Sequence, residues 1–279
     1  MVQTVDGIVR RESPSSRDRI VELADRSWRP LALLAACYAI WWAITEFEIV
    51  PRYLVPSPGT TLQVMTDKAG YLGHHTLVTA YETVLGFAIA VVVGIAAAVL
   101  MVASSEVEKT LYPLLLFAQV VPKIAIAPLF VVWLGFGLTP RIVVAVLIAF
   151  FPVVISMVTG LKSVDPEMLQ LASTMGASPA KTFAKIRFPA SLPFLFSGLK
   201  VAVTLAVTGA VVGEFVGGND GLGSVILQAN GNIDTPMLFA GLLVMSLLGV
   251  VLFVAVEFAE RLLLPWHASR RGDAVTVTY

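Results

Sequence analysis

The stretch LASTMGASPAKTFAKIRFPASLP, residues 171–193, separates two long apolar runs. It carries Lys181, Lys185 and Arg187, a glycine at 176, and prolines at 179, 189 and 193. Its signals predict two short helices meeting at a tight corner. Just upstream, Asp165 is a good N-cap, and Pro166 takes the first helical position, where its missing N–H costs nothing. Glu167 adds negative charge to the first turn, which suits the helix dipole. This helix is expected to end near Met175, with Gly176 in a left-handed conformation. Ser178 and Pro179 repeat the cap-and-proline signal. The second helix is expected to run to about Arg187 and to stop at Pro189, with Pro193 opening the next apolar run. Leu169, Ala172, Met175, Phe183 and Ile186 form an expected apolar face, suited to a partner or to the inner surface of a helical bundle.

The solvent on either side of this corner follows from composition. The chain has 279 residues, 57% hydrophobic and 14% charged, with mean hydropathy +0.84. A soluble domain carries about 25% charged residues. So little charge cannot cover a globule, and lipid is the natural solvent. A formal net charge of zero argues against a nucleic-acid partner. Cys37 is the single cysteine; it excludes an intrachain disulfide and reads as a packing residue. His74 and His75 have no further ligand residues nearby, so no metal site is expected.

Crossing about 30 Å of hydrocarbon takes roughly 20 mostly apolar residues in a helix. Six runs fit: 31–47, 77–103, 111–135, 142–161, 191–216 and 237–260. Backbone groups must be satisfied internally in lipid, and the runs do not alternate as barrel strands would, so the fold class is all-α and polytopic. Lys and Arg set the orientation. With the N-terminus cytoplasmic, fourteen fall in inner segments. Three (Arg52, Lys68, Arg141) fall in outer loops, and Lys123 and Lys200 lie within or near spans. Both termini are then expected in the cytoplasm, with tails at 1–30 and 265–279, a membrane domain over 31–264 and the corner loop at 163–190. The six arginines before Leu31 do not form a cleaved signal peptide. Residues 17–28, RDRIVELADRSW, place Ile20, Leu23 and Ala24 on one face, as in a helix lying on the membrane; a solvated tail fits equally.

Polar groups within the apolar runs are the candidate pathway residues: Gln119, Lys123 and Glu214. Lys123 sits midway along the third run, between Pro122 and Pro128, where a charge costs at least about 2.5 kcal/mol. Two roles fit it: passage of a polar or anionic solute, or a structural ion pair with Glu214, the nearest opposite charge by depth. Lys200 is expected to snorkel toward the inner surface. GGNDGLGSVI, 217–226, has the glycines for tight turns but opens no nucleotide-binding fold; an outer gate or re-entrant turn is expected.

The corner resembles a known motif. Membrane subunits of bacterial ABC importers carry a loop of the form Glu-Ala-Ala, three residues, Gly, nine residues, Ile, one residue, Leu-Pro. The same register here reads Gln170-Leu171-Ala172, Gly176, Ile186, Phe188-Pro189. Gln170, Leu171 and Phe188 depart from the pattern, and Glu167, one turn earlier, is a possible substitute for the motif glutamate. VPSPGTTLQVM (55–65), QVVPKIAIAPLFVVWLGFG (119–137) and VVGEFVGGNDGLGSVI (211–226) resemble the branch that imports nitrate, sulfonates, taurine, and pyrimidine or riboflavin-type vitamins.

The resemblance implies the type I ABC importer permease fold in the bacterial inner membrane, with the corner as a coupling helix. The coupling residues are then Glu167, Gln170, Ala172, Met175, Gly176, Ala177, Ser178, Ile186 and Pro189. Lys181, Lys185 and Arg187 either steer the docking or express the positive-inside bias alone. It further implies two cytoplasmic ABC ATPase subunits holding ATP and magnesium, a second permease copy in a homodimer, and a periplasmic substrate-binding protein. The chain contains no Gly-Lys pair and hence no phosphate-binding loop of that type, so no catalysis or bound cofactor is expected of it. The competing reading is a self-sufficient secondary transporter or channel. It lacks the inverted internal repeat of many such carriers and leaves the corner without a task.

Overall fold

The computed structural model describes residues 16–265, with side chains from Trp28 onward. Among these residues there is no strand. The chain divides into two compact units, one ending at Thr60 and one starting at Thr61.

The first unit is dominated by one helix, α1 (Ser16–Glu46). Its backbone joins the expected surface helix to the expected first span without a break; the side chains of Ile20, Leu23 and Ala24 lie outside the described residues, as do residues 1–15 and 266–279. Trp41 Nε1 donates to the Pro56 carbonyl at 2.9 Å and so ties the following turn back to the helix.

The second unit contains α2 (Pro58–Asp67), which begins at its edge, α3 (Ala69–Ala103), α4 (Ser105–Val120), α5 (Lys123–Leu134) and α6 (Leu138–Lys162). There follow α7 (Pro166–Thr174), α8 (Pro179–Thr182), α9 (Phe188–Gly217), α10 (Leu222–Gly231) and α11 (Thr235–Leu263). Four helical stretches are long and apolar enough to cross a membrane: α3, α6, α11 and the continuous run Pro179–Gly217. The pair α4 and α5 makes a fifth if its two halves are one crossing. Helix α1 covers the first expected run, 31–47, to its last residue but one, and reaches crossing length by continuing back through Pro30 and Arg29. The third expected span is not one rod: α4 and α5 are bent by 95° at Val121 and Pro122.

The packing centre is α6, held between α3 and α9. Lipid gives no hydrophobic drive for helices to associate, so close approach through small residues supplies the contact energy. Ala145, fully buried, is the hub. A methyl group added at Gly86 of α3 would lie 2.7 Å from its Cβ, and one at Gly209 of α9 2.6 Å from its Cα. Further along, Gly160 meets Ser191, and Gly198 meets Ser156 and the Pro152 carbonyl. Met101, Val153, Met157, Leu161 and Leu195 fill the core toward the α7 end. The outward faces of α3 and α11 remain apolar and exposed, with Leu77, Val92, Leu247 and Phe258 more than half exposed.

Pro189 does not stop the second corner helix, contrary to the sequence reading. After α8 the backbone makes a π turn over Phe183–Arg187, with Phe188 N–H bonded to the Phe183 carbonyl, and continues as α9. A wide turn opens the backbone where the ring of Pro189 would otherwise crowd the preceding carbonyls.

Candidate functional site

The corner between α7 and α8 is built as its sequence signals require. Asp165 Oδ1 accepts from Glu167 N–H at 2.9 Å, and Ser178 Oγ accepts from Lys181 N–H at 3.3 Å. Gly176 has φ of 77°. Its N–H donates to the Ser173 carbonyl at 2.9 Å, and Ala177 N–H donates to the Ala172 carbonyl at 3.0 Å. This is the Schellman pair of bonds, which satisfies the last carbonyls of α7 and sets the angle of the corner.

The faces differ from expectation in one respect. Leu169, Ala172 and Ala177 are half-buried, and Ile186 and Pro189 are half-buried in the π turn and the start of α9. Met175, expected with them, is instead 79% exposed. It continues a stripe with Met168 and Leu171, both more than half exposed, on the outer side of α7. Glu167, Gln170, Gly176 and Ser178 are exposed as well. The corner thus presents a rigid apolar edge away from its own bundle.

The three candidate pathway residues are not brought together. Lys123 is the first residue of α5, at the bend rather than midway along a rod. Its Nζ donates to the Gln119 carbonyl at 3.1 Å and lies 4.5 Å from the centre of the Phe151 ring. It thereby caps the carbonyl end of α4, which the break leaves without intrahelical donors. Gln119, exposed, ends α4 on the rim of a cavity. Glu214 does not pair with Lys123. Lys200 likewise has a specific partner instead of simply snorkelling: its Nζ meets Glu260 Oε2 of α11 at 2.5 Å.

Glu214 belongs to a buried polar cluster at the opposite end of the bundle from the corner. His75, Thr79 and Glu82 lie on one face of α3, three and four residues apart, and all are buried. Arg141, read from sequence as an outer-loop charge, is buried in the first turns of α6. Its Nη1 meets Glu82 Oε1 at 2.8 Å and the Asp220 carbonyl at 3.3 Å, and its Nη2 donates to the Gly217 carbonyl at 3.4 Å. Thr79 Oγ1 donates to Glu214 Oε1 at 2.6 Å and accepts from Leu222 N–H at 2.8 Å. Gly223 N–H donates to Glu214 Oε2 at 2.5 Å, and Gly221 N–H donates to His75 Nδ1 at 2.9 Å.

The first N–H groups of α10 are therefore met one by one by side chains of α3 and α9, and the glycine loop is a clamped turn. Its glycines serve mainly close approach. A methyl group at Gly218 would lie 2.9 Å from the guanidinium carbon of Arg141, and one at Gly221, where φ is 100°, would meet the Glu214 carboxylate. The N–H groups of Gly221, Leu222 and Gly223 are already engaged by the protein's own side chains and leave no phosphate cradle at the start of α10. Sequence reasoning missed Arg141, Glu82, Thr79 and His75 as a group. The spacing of the three α3 residues was a visible signal; the arginine between two apolar runs was not, because loop and first helical turn look alike there.

A model of the binding-protein-dependent transport system inner membrane component matches residues 90–266. The chain belongs to that family. It is 38% identical over 227 residues, 81% of this chain and 91% of the relative, to a formylaminopyrimidine transport permease protein of Halalkalibacterium halodurans. It is 35% identical over 268 residues, 94% of this chain and 98% of the relative, to a riboflavin transport system permease protein of Chloroflexus aurantiacus. Among solved structures, a chain of the methionine ABC transporter MetNI, in an inward-facing form, matches with TM-score 0.60 at 20% identity, covering 71% of this chain and 97% of that one. The inner membrane component is thus an all-α ABC importer permease with the type I fold, and the reading as a self-sufficient carrier or channel is set aside.

Proposed function

We propose that this permease forms half of a translocation pathway for a small polar solute, delivered by a periplasmic binding protein and driven by ATP on two separate ATPase subunits. The solute is a nitrogen heterocycle, of the kind named for the two relatives, or a small sulfonate-like anion. The exposed stripe Met168, Leu171 and Met175 carries the reading. A contiguous apolar edge on a capped corner marks a surface that a partner covers. That partner is an ATPase, and the ATP and magnesium belong to it. Both tails and the corner lie in the cytoplasm, in keeping with the excess of Lys and Arg there. Two copies of the chain complete the pathway.

The corner also has a route into the membrane. From Pro179 the chain is helical through the π turn to Gly217, and α9 packs on α6 through glycines. A displacement of the corner therefore moves α9 as one body, and the bundle has no slack in which to absorb it.

The test is co-purification of the chain with its ATPase, and vesicle uptake with the binding protein present, for the natural chain and for Gly176→Val. Loss of ATPase-driven uptake in the variant is expected, with normal amounts of folded permease. Full assembly and uptake with Gly176→Val would remove the corner from the coupling path.

A further inference from the structure

We propose that the cavity between α4 and α6 holds a flat, uncharged nitrogen heterocycle on its way through, and excludes a small sulfonate. The inference rests on the permease reading and narrows its solute class. The cavity has a volume of about 470 Å³. That lies within the range of roughly 300–1,000 Å³ typical of small-molecule sites. Its wall is mostly apolar, with Tyr112 and Gln119 from α4 and Phe151 from α6 among the lining residues. Aromatic faces suit a planar ring. The Gln119 amide offers both a donor and an acceptor, and Tyr112 a hydroxyl. Neither side chain has a hydrogen-bond partner among the described residues, so both are available to the edge of a heterocycle.

Charge decides against the anion. One cation, Lys162, lines this cavity, and Lys123 stands beside two of its lining residues; both have partners. Lys162, on its wall, pairs with Glu108, also on its wall. Lys123, beside Phe151, is held by the Gln119 carbonyl and by the ring face. A sulfonate entering here would give up part of its hydration without gaining a free positive partner, which is disfavoured. A neutral ring loses far less on desolvation and recovers it through two hydrogen bonds and apolar contact.

Binding to the purified full chain in lipid nanodiscs, without ATPase or binding protein, tests this directly. Riboflavin, formylaminopyrimidine and ethanesulfonate are the probes. Riboflavin is read by its own fluorescence on the unmodified chain, and all three by protection of a reporter thiol. The reporter is Thr159→Cys, an exposed cavity residue, in a Cys37→Ser background, labelled with a maleimide. At least one heterocycle is expected to bind and to slow labelling, while ethanesulfonate does neither. Gln119→Leu is expected to weaken heterocycle binding about tenfold, as for the loss of one or two hydrogen bonds.

Protection by ethanesulfonate equal to or greater than that by the heterocycles overturns the proposal. So does the absence of any heterocycle binding in a chain that still assembles with its ATPase and supports uptake. If no ATPase co-purifies at all, the permease reading fails separately.

Discussion

Arg141 and Glu82 form a buried ion pair at 2.8 Å, joining α6 to α3 although the two residues are 59 positions apart. The guanidinium also reaches two carbonyls of the glycine loop, so one side chain ties three elements together. Glu82 Oε2, Thr83 Oγ1 and Arg141 Nε are buried in the same region without a hydrogen-bond partner among the described residues. A pair of this kind is costly to break and cheap to replace as a whole. Arg141→Met alone is expected to destabilise the protein by about 3–5 kcal/mol, because Glu82 is left buried and unpaired. Arg141→Met with Glu82→Leu is expected to recover much of that loss. Thermal unfolding in detergent measures both, and simple additivity of the two single variants would refute the pair as a unit.

Thr79 is the second tie. Its hydroxyl donates to Glu214 and accepts from Leu222 N–H. Thr79→Val keeps the shape and removes both bonds. Each buried group left unsatisfied costs about 1–3 kcal/mol. Hydrogen exchange is expected to accelerate at residues 221–223 and to stay unchanged in the core of α6. Uniform acceleration along the chain would mean that Thr79 supports the whole bundle and not the loop.

Gly176 separates strain from sterics. A methyl group there would meet nothing within 4 Å, while φ is 77°. Gly176→Asn, which tolerates the left-handed region, is expected to retain uptake. Gly176→Ala costs about 1–2 kcal/mol, confined to the corner, and lowers uptake without unfolding the spans. Equal uptake for alanine, asparagine and valine variants would count against a requirement for this backbone angle.

Met175→Glu places a charge on the most exposed member of the corner stripe, 79% exposed. No contact within the bundle is lost, so the melting temperature is expected to hold. ATPase association is expected to fall at least tenfold, as when a charge is set into an apolar docking site, at about 1.4 kcal/mol or more. Pull-down of the ATPase at several concentrations reads this, and unchanged capture argues that the stripe is not the docking edge.

Gly209→Leu probes the packing of α6 on α9, where even a methyl group would come within 2.6 Å of Ala145 Cα. Backbone cannot yield as a flexible side chain does, so loss of folded protein is expected, with a much milder effect for Gly231→Ala, whose surroundings are open. Recovery of folded protein after purification in mild detergent compares them.

What the residues alone determined is local or compositional. Low charge and long apolar runs placed the chain in lipid. Asp165, Pro166, Gly176, Ser178 and Pro179 specified the corner, because caps, fixed φ and a left-handed glycine act within a turn or two of chain. The register of Gly176, Ile186 and Pro189 pointed to the family. Only the tertiary structure decided the rest. It set Arg141 in a buried cluster, gave Glu214 to Thr79 and the start of α10, and moved Lys123 from mid-span to a bend. It also carried the helix past Pro189 and turned Met175 outward. Each of these depends on partners tens of residues away. Which partners meet follows from how closely α3 and α9 approach α6; small residues every four positions in α3 (Gly86, Ala90, Gly94, Ala98) mark the packing face in the sequence, but not the helix it meets.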